Sequence, residues 1–304
     1  MALMKNKVVS MKEAVSSLVR DGDTVVIEGF THLICFAAGH EIIRQGKKNL
    51  TLARLTPDLV YDQMIQAGVA KKLIFSWAGN PGVGSLHAFR RATEARPPKL
   101  EIEEYSHFGM VARFSAGAAN LPFWPLRNYA ATDIPKANPR IKSVICPYTG
   151  EALAAVPALR PDATIVHAQR ADKSGNAQVW GLMGVQKEAA FASKRVIVVV
   201  EELVDESVIR QDPNRTLIPG LQVDAVVVEP WGAHPSYAQG YYDRDNDFYV
   251  AWDKIAREDS SFNRYLDEFV HGVPDRAAYM KKQPGLAERL KARPRVCAGV
   301  DYGY

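Results

Sequence analysis

The stretch Thr24-Val-Val-Ile-Glu-Gly-Phe-Thr-His32 decides how this chain is read. A β-branched apolar run stops abruptly at Glu28-Gly29, and helical spacing resumes near Ala37. In an open α/β sheet, ligands bind outside the carboxyl ends of the strands, so a site is expected at this turn. Gly29 lets the backbone approach a ligand closely, and the N–H groups after it can converge on an oxygen anion. Most glycine-containing strand-to-helix turns hold nothing, so the rest of the chain has to decide.

Outward from this turn, strands and helices alternate. Ser10 and Glu13 form a capping box, followed by Met11, Ala14, Val15, Leu18 and Val19 on one helical face. Strands are expected at Thr24 to Ile27, Leu50 to Leu55, Leu73 to Trp77 and Leu100 to Tyr105, with helices near Leu59 to Ala67, Leu86 to Ala95 and Met110 to Ala119. Leu121-Pro-Phe-Trp-Pro125 and Asp133 to Arg140, rich in Pro and Asn, read as irregular connections. Strands return at Ser143 to Cys146, Thr164 to Ala168, Arg195 to Val200 and Ala225 to Glu229. The last two have the continuous Val and Ile content of strands covered on both faces. The expected fold is an α/β domain spanning 1–304: an open, mainly parallel sheet flanked by helices, with a helical extension from about Asp253. A division near Pro139 is only weakly marked.

Composition excludes several classes. At 304 residues the chain can bury a sizeable core, and 47% hydrophobic with 24% charged content is ordinary for a globular protein. A net charge of +4 spread along the chain does not suggest nucleic acid, and Lys281 to Arg295 reads as a solvated helix or tail. Cys35, Cys146 and Cys297 are far apart, implying neither a disulfide framework nor a metal site. No apolar run approaches membrane-spanning length, and the start Met1-Ala-Leu-Met-Lys-Asn-Lys7 lacks a signal-peptide core. A cytoplasmic protein without a membrane partner is expected.

Several groups could carry chemistry. The Gly29-Phe30-Thr31-His32 turn could donate backbone N–H groups to an oxyanion, with Thr31 and His32 at its rim. His32 is equally a capping or surface histidine. Asn80-Pro-Gly82-Val-Gly84-Ser85 resembles an anion-binding turn, although a plain Gly/Pro turn has the same composition. His167 and Gln169 end a strand where such sheets carry sites, and a core histidine would look alike. Glu201 and Glu202 form an acidic pair of which at most one faces inward. Glu103 and Glu104 read as an exposed strand end, and Trp231-Gly-Ala-His234-Pro-Ser236 as a segment lining a pocket or, more in keeping with aromatics beside Gly and Pro, an interface. There is no G-x-S-x-G elbow, no H-E-x-x-H pair and no lysine-bearing phosphate loop.

Beyond these readings, nearly the whole chain resembles the A (alpha) subunit of family I CoA-transferases, most closely the glutaconate CoA-transferase type. The resemblance rests on Asp21-Gly-Asp-Thr-Val-Val-Ile-Glu-Gly-Phe-Thr-His32, His40-Glu-Ile-Ile-Arg-Gln-Gly46, Asn80 to Ser85, Glu103-Glu-Tyr-Ser106 and Leu121 to Pro125. It continues through His167-Ala-Gln169, Val179-Trp-Gly181, Ile209-Arg-Gln-Asp-Pro213, Ile218-Pro-Gly220, Val223 to Val227 and Pro230 to Ser236. Glu28 departs from the signature, which commonly has glycine there, and Cys35 stands where relatives often carry proline.

The resemblance implies the fold of that subunit and a ping-pong transfer of CoA between an acyl-CoA and a carboxylic acid. The nucleophilic glutamate would lie on a beta subunit, in a heterodimer or a heterotetramer or octamer. This chain lacks the Ser-Glu-Asn-Gly stretch that often surrounds that residue. Its own contribution would be an oxyanion turn at Gly29 and Phe30 and acid- or CoA-binding groups at Asn80, Gly82, Gly84, Ser85, His167 and Gln169, with Glu28 a further actor. Coenzyme A would be a substrate, with no resident cofactor or metal. A thioester hydrolase or C–C-cleaving enzyme of the same superfamily, or a non-catalytic ligand sensor, are the alternatives.

Overall fold

The computed structural model describes residues 6–129 and 131–292. Most of the N-terminal stretch, Cys297 and the end of the Lys281 to Arg295 run lie outside them. In chain order the strands are β1 (Thr24–Glu28), β2 (Leu50–Ala53), β3 (Ala70–Phe75), β4 (Glu101–Glu104), β5 (Phe123–Leu126), β6 (Lys142–Ile145), β7 (Ala152–Pro157), β8 (Ala163–Ala171), β9 (Ala177–Gln178), β10 (Val196–Leu203), β11 (Thr216–Ile218) and β12 (Ala225–Val228). The main sheet of the described residues has nine strands. Its parallel part runs β12-β10-β8-β1-β2-β3-β4. β9 and β11 add an antiparallel corner beyond the end of β8.

Both faces of this sheet are covered, and the sequence shows why. Val25 and Ile27 of β1 enter one apolar cluster while Val26 enters another. In β10, Ile197 and Val199 face the first cluster, and Val196, Val198 and Val200 a third. Alternate residues of a strand point to opposite faces, so a Val/Ile run is what two apolar faces require. The first helix, Met11–Leu18, starts with the expected box: Ser10 Oγ accepts from the Glu13 N–H (3.2 Å) and Glu13 Oε2 accepts from the Ser10 N–H (2.9 Å).

The chain winds one way from β1 through β4, then returns to lay β8 on the other side of β1 and continues outward through β10 and β12. The winding therefore reverses between β1 and β8, which pair in parallel with Glu28 opposite Val166. Loops leaving two such strands diverge to opposite faces and leave a crevice at their carboxyl ends. The Gly29 turn stands at this crevice.

Four expectations are corrected. Phe123–Leu126 is a strand rather than an irregular connection, pairing with β7 in a separate three-stranded antiparallel sheet, β5-β7-β6. Within Asp133 to Arg140 a short helix spans Ile134–Ala137, with Pro135 in its first turn. Glu103 of β4 is buried, because Arg113 Nη1 (2.9 Å) and Lys72 Nζ (2.6 Å) reach its carboxylate. Glu101 and Glu104 on the same edge strand are exposed, as expected for that strand end. The helical C-terminal part begins earlier than Asp253, at Asn246, and is no appendage. Tyr249, Trp252, Phe262, Tyr265, Leu266 and Val270 share the apolar cluster that contains Val25 and Ile27.

That shared cluster gives a test. Trp252 is fully buried, with its ring edge-on to Phe262 and Tyr265 at 5.0 Å. Trp252→Ala should lower the free energy of unfolding by about 3–5 kcal/mol. Urea unfolding followed by circular dichroism should shift as one transition; an early transition confined to the C-terminal helices would contradict the shared core.

Candidate active site

The turn after β1 is tighter than its glycine alone suggests. A Cβ on Gly29 would meet the His32 and Leu33 carbonyl oxygens at 2.7 Å, so close backbone packing, not a left-handed φ, requires glycine. Thr31 (φ 56°) and Leu33 (φ 55°) both adopt left-handed backbone, a strain of about 1–2 kcal/mol each. Partners from a distant segment hold them there: Ser236 Oγ donates to the Thr31 carbonyl (2.8 Å), and the Leu33 N–H donates to the Tyr237 carbonyl (2.9 Å). At the entry to the turn, the Gly29 carbonyl accepts from Arg54 Nη2. The two ends of a trans peptide unit point in opposite directions. Drawing the Gly29 oxygen toward Arg54 therefore turns the Phe30 N–H away from Arg54, and that N–H has no hydrogen-bond partner among the described residues.

His32 sits beneath the turn rather than at its rim. It is fully buried; Nδ1 lies 2.8 Å from the Leu182 carbonyl, and Nε2 accepts from the Gln239 N–H (3.0 Å). The first contact requires a proton on Nδ1 and the second a lone pair on Nε2, so the ring is neutral. Burial lowers its pKa to about 4, in agreement. With both nitrogens engaged, His32 clamps the loop and is not free to move protons.

Gln169 grips the neighbouring segment, donating to the Trp180 carbonyl (2.7 Å) and accepting from the Trp180 N–H (3.2 Å). Gly181 follows, because a Cβ there would meet Gln239 Oε1 at 2.3 Å and His32 Cε1 at 3.0 Å. His167 lies deeper. Its Nε2 is 2.6 Å from Glu201 Oε1, which also accepts from the Tyr242 hydroxyl (2.5 Å), while Glu201 Oε2 accepts from the Trp231 N–H (2.7 Å). Glu201 is thus the inward member of the acidic pair, and Glu202 is exposed. The Trp231 to Ser236 segment, expected at an interface, is mostly internal: Trp231 stacks on Tyr242 at 4.2 Å, and His234 and Ser236 are fully buried.

Glu28 occupies the other face of β1. Its carboxyl group is fully buried beside Gly184, Phe30 and Gln186, and neither oxygen has a well-formed hydrogen bond among the described residues, although the Gly29 and Val185 N–H groups face it. Burial pushes its pKa up to about 7, with the Arg54 charge pulling the other way. The Asn80 to Ser85 turn lies over the C-terminal helices. The Val83 and Gly84 N–H groups are spent on the Asn80 carbonyl, and Asn80 Nδ2 donates to the Tyr249 carbonyl (2.7 Å). Gly82 is exposed, with φ 76°. Gly84 is exposed too and Ser85 half-buried, and Asp253 Oδ1 would lie 3.8 Å from a Cβ at Gly84. As built, this turn offers an anion little.

Exposed apolar groups rim the Phe30 turn. Phe30 meets the His107 ring edge-on at 6.1 Å, and His107 Nδ1 lies 2.9 Å from Ser76 Oγ. Trp77 and Phe108, next to these residues in sequence, are exposed, as are Leu182 and Met183. Among the described residues no group of three or more His, Cys, Asp or Glu could hold a metal ion, and no helix is long and apolar enough to cross a membrane. The site residues that sequence reasoning does not single out are Arg54 and Asp58. Their spacing directly after a strand and before a helix is the signal that points to them.

This fold recurs in known proteins. The family profile described as Coenzyme A transferase matches residues 8–229. The chain is 55% identical to the A-type subunit of the 3-oxoadipate CoA-transferase of Pseudomonas knackmussii over 277 residues, covering 91% of this chain and 98% of that one. It superimposes on the crystal structure of glutaconate coenzyme A-transferase from Acidaminococcus fermentans with a TM-score of 0.90 at 33% identity, covering 97% of this chain and 98% of that one. It is 27% identical to the cholesterol ring-cleaving hydrolase IpdA subunit of Rhodococcus jostii, over 90% of this chain and 95% of that one. The chain belongs to the coenzyme A transferase family. Within it, the chain is an alpha-type CoA-transferase subunit.

Glu28 gives a pH prediction. Its pKa in the folded chain lies above the ordinary 4.5, so folded protein binds the extra proton between these values and stability falls as pH rises through them. Glu28→Gln should become more stable than the parent as pH goes from 5 to 8, approaching a gain of about 3 kcal/mol. Thermal or urea midpoints of the pair across that range check it; a constant difference would contradict a neutral Glu28.

Proposed function

We propose that this chain forms half of a shared active site with a B subunit, moving CoA between an acyl-CoA and a 3-oxo dicarboxylic acid. The relative at 55% identity, named for 3-oxoadipate, supports that substrate class. The observation that carries the reading is the unpartnered Phe30 N–H on a turn whose Gly29 carbonyl is anchored by Arg54. A carboxylate attacks the acyl-CoA carbonyl and the CoA thiolate leaves, giving a mixed anhydride. The thiolate then attacks the enzyme's carbonyl, releasing the first acid and leaving an enzyme-CoA thioester. The second acid repeats the two steps in reverse. Each addition places negative charge on a carbonyl oxygen, and a positioned donor there contributes about 3 kcal/mol to lowering the barrier.

The attacking carboxylate comes from the partner. Near the turn, Glu28 is buried and held toward its neutral form, and Glu201 is engaged by His167, Tyr242 and the Trp231 N–H. The exposed Trp77, Phe108, Leu182 and Met183 around Phe30 are suited to a B-subunit face, since clustered exposed apolar groups commonly meet a partner. His32 and Gln169 shape the acid-binding side by fixing Trp180 to Leu182.

The isolated chain should show no transferase turnover, and activity should appear on adding the B subunit. Borohydride treatment of the assembled enzyme with acyl-CoA should reduce a glutamate of the B subunit. Robust turnover by this chain alone would overturn the shared site, and thioester hydrolysis without acceptor would favour the hydrolase alternative. In the assembled enzyme, Phe30→Pro removes the N–H and should lower kcat about 10²–10³-fold relative to Phe30→Ala, which keeps it. Leu182→Arg should weaken co-purification with the B subunit while leaving this chain folded.

A further inference from the structure

We infer that Arg54, held by Asp58, is a positioning residue that sets the plane of the Gly29–Phe30 peptide and so aims the Phe30 N–H. The inference rests on the role proposed above for that turn. Arg54 follows β2 directly, and its own N–H donates to the Ile74 carbonyl (3.1 Å), so its backbone is fixed by the sheet. The guanidinium is 1% exposed. Nη1 donates to Asp58 Oδ1 at 3.0 Å and Nη2 to the Gly29 carbonyl. Asp58 stands at the N-cap position of the helix Leu59–Gln66, without a side-chain capping bond, and the helix dipole there favours its negative charge. The Tyr61 ring lies 5.7 Å from the guanidinium carbon, and its hydroxyl accepts from the Ile27 N–H (3.0 Å) and donates to the Ala53 carbonyl (2.9 Å). The fork is therefore fixed relative to both strands that flank it.

A guanidinium presents donors in a rigid plane, so anchoring one side on Asp58 sets the direction of the other. The strained end of the turn, at Thr31 and Leu33, is tied to Ser236 and Tyr237. At the other end, Arg54 supplies the side-chain donor that holds the Gly29 carbonyl. If the Gly29–Phe30 plane rotated, the Phe30 N–H would move off the thioester oxygen without any loss of core packing. Misplacement of that size can cost about 10²-fold in rate.

The test uses the enzyme assembled from both subunits, with 3-oxoadipate as the acid and a dicarboxylic acyl-CoA as the CoA donor. Arg54→Lys keeps the charge but lacks the fork. Its kcat should fall about 10- to 100-fold, with KM for the acyl-CoA within about threefold. Asp58→Ala should show the same split, and Asp58→Asn, whose amide oxygen still accepts from Nη1, should restore kcat to within a few-fold. A kcat unchanged in Arg54→Lys overturns the inference, as does Asp58→Asn failing as badly as Asp58→Ala while both remain folded and assembled with the B subunit. If Arg54→Lys does not assemble, the Asp58 pair decides alone. Should Phe30→Pro prove as active as Phe30→Ala, the turn reading fails. A defect in Phe30→Pro with full activity in Arg54→Lys would remove only the inference about Arg54.

Discussion

A guanidinium at 1% exposure has to be compensated from within the protein, and Arg54 draws that compensation from a carboxylate and a turn carbonyl. Removing either charge of such a pair leaves the other stranded at a cost of about 3–5 kcal/mol. Replacing the whole pair with packed apolar groups is often harmless. The ion pair is therefore better explained by what it orients than by stability. Through it the end of β1, the end of β2 and the head of the following helix become one rigid unit. Burial also acts on the acids around it: Asp58 and Glu28 both have pKa values above their ordinary values, and the Arg54 charge opposes each shift.

The reversal of winding between β1 and β8 explains why the rest of the site collects here. β8 brings His167 and Gln169 beside the turn, β10 brings Glu201, and the segment after β12 returns to tie down Thr31 and Leu33. Most of the histidines and acids in this crevice are consumed by bonds to backbone or to one another. His32 is neutral with both nitrogens occupied, and Glu201 accepts three bonds. Such a site is rigid and poor in free proton carriers. That matches a reaction whose nucleophile is already ionised and whose need is a fixed donor.

The main sheet is legible in the sequence because its strands are buried on both faces, so β1, β10 and β12 appear as uninterrupted Val and Ile. β5 is not, because Pro122 and Pro125 punctuate it. It is an edge strand pairing only with β7, where the missing proline N–H costs no ladder bond. Glu103 misleads for a different reason: Arg113, the cation that buries it, lies ten residues away on a helix whose direction periodicity does not give. Trp231 resembles an exposed aromatic, and its stacking on Tyr242 leaves it only half-buried, while the residues after it turn inward. The Gly29 turn can be located from sequence, but its working geometry depends on Arg54, Ser236 and Tyr237, which meet it only in three dimensions.

The outer edge of the main sheet has a consequence of its own. β4 has no strand partner on its outer side, but the segment around Asn138 lies against it: Asn138 Nδ2 donates to the Glu104 carbonyl (2.8 Å), and Arg140 Nε lies 3.4 Å from Glu103 Oε1. A foreign strand could pair with the backbone of β4 only by displacing that contact. The sheet thus ends under a covering segment that discourages fibril-like growth from this side, at the far margin from the β1–β8 crevice.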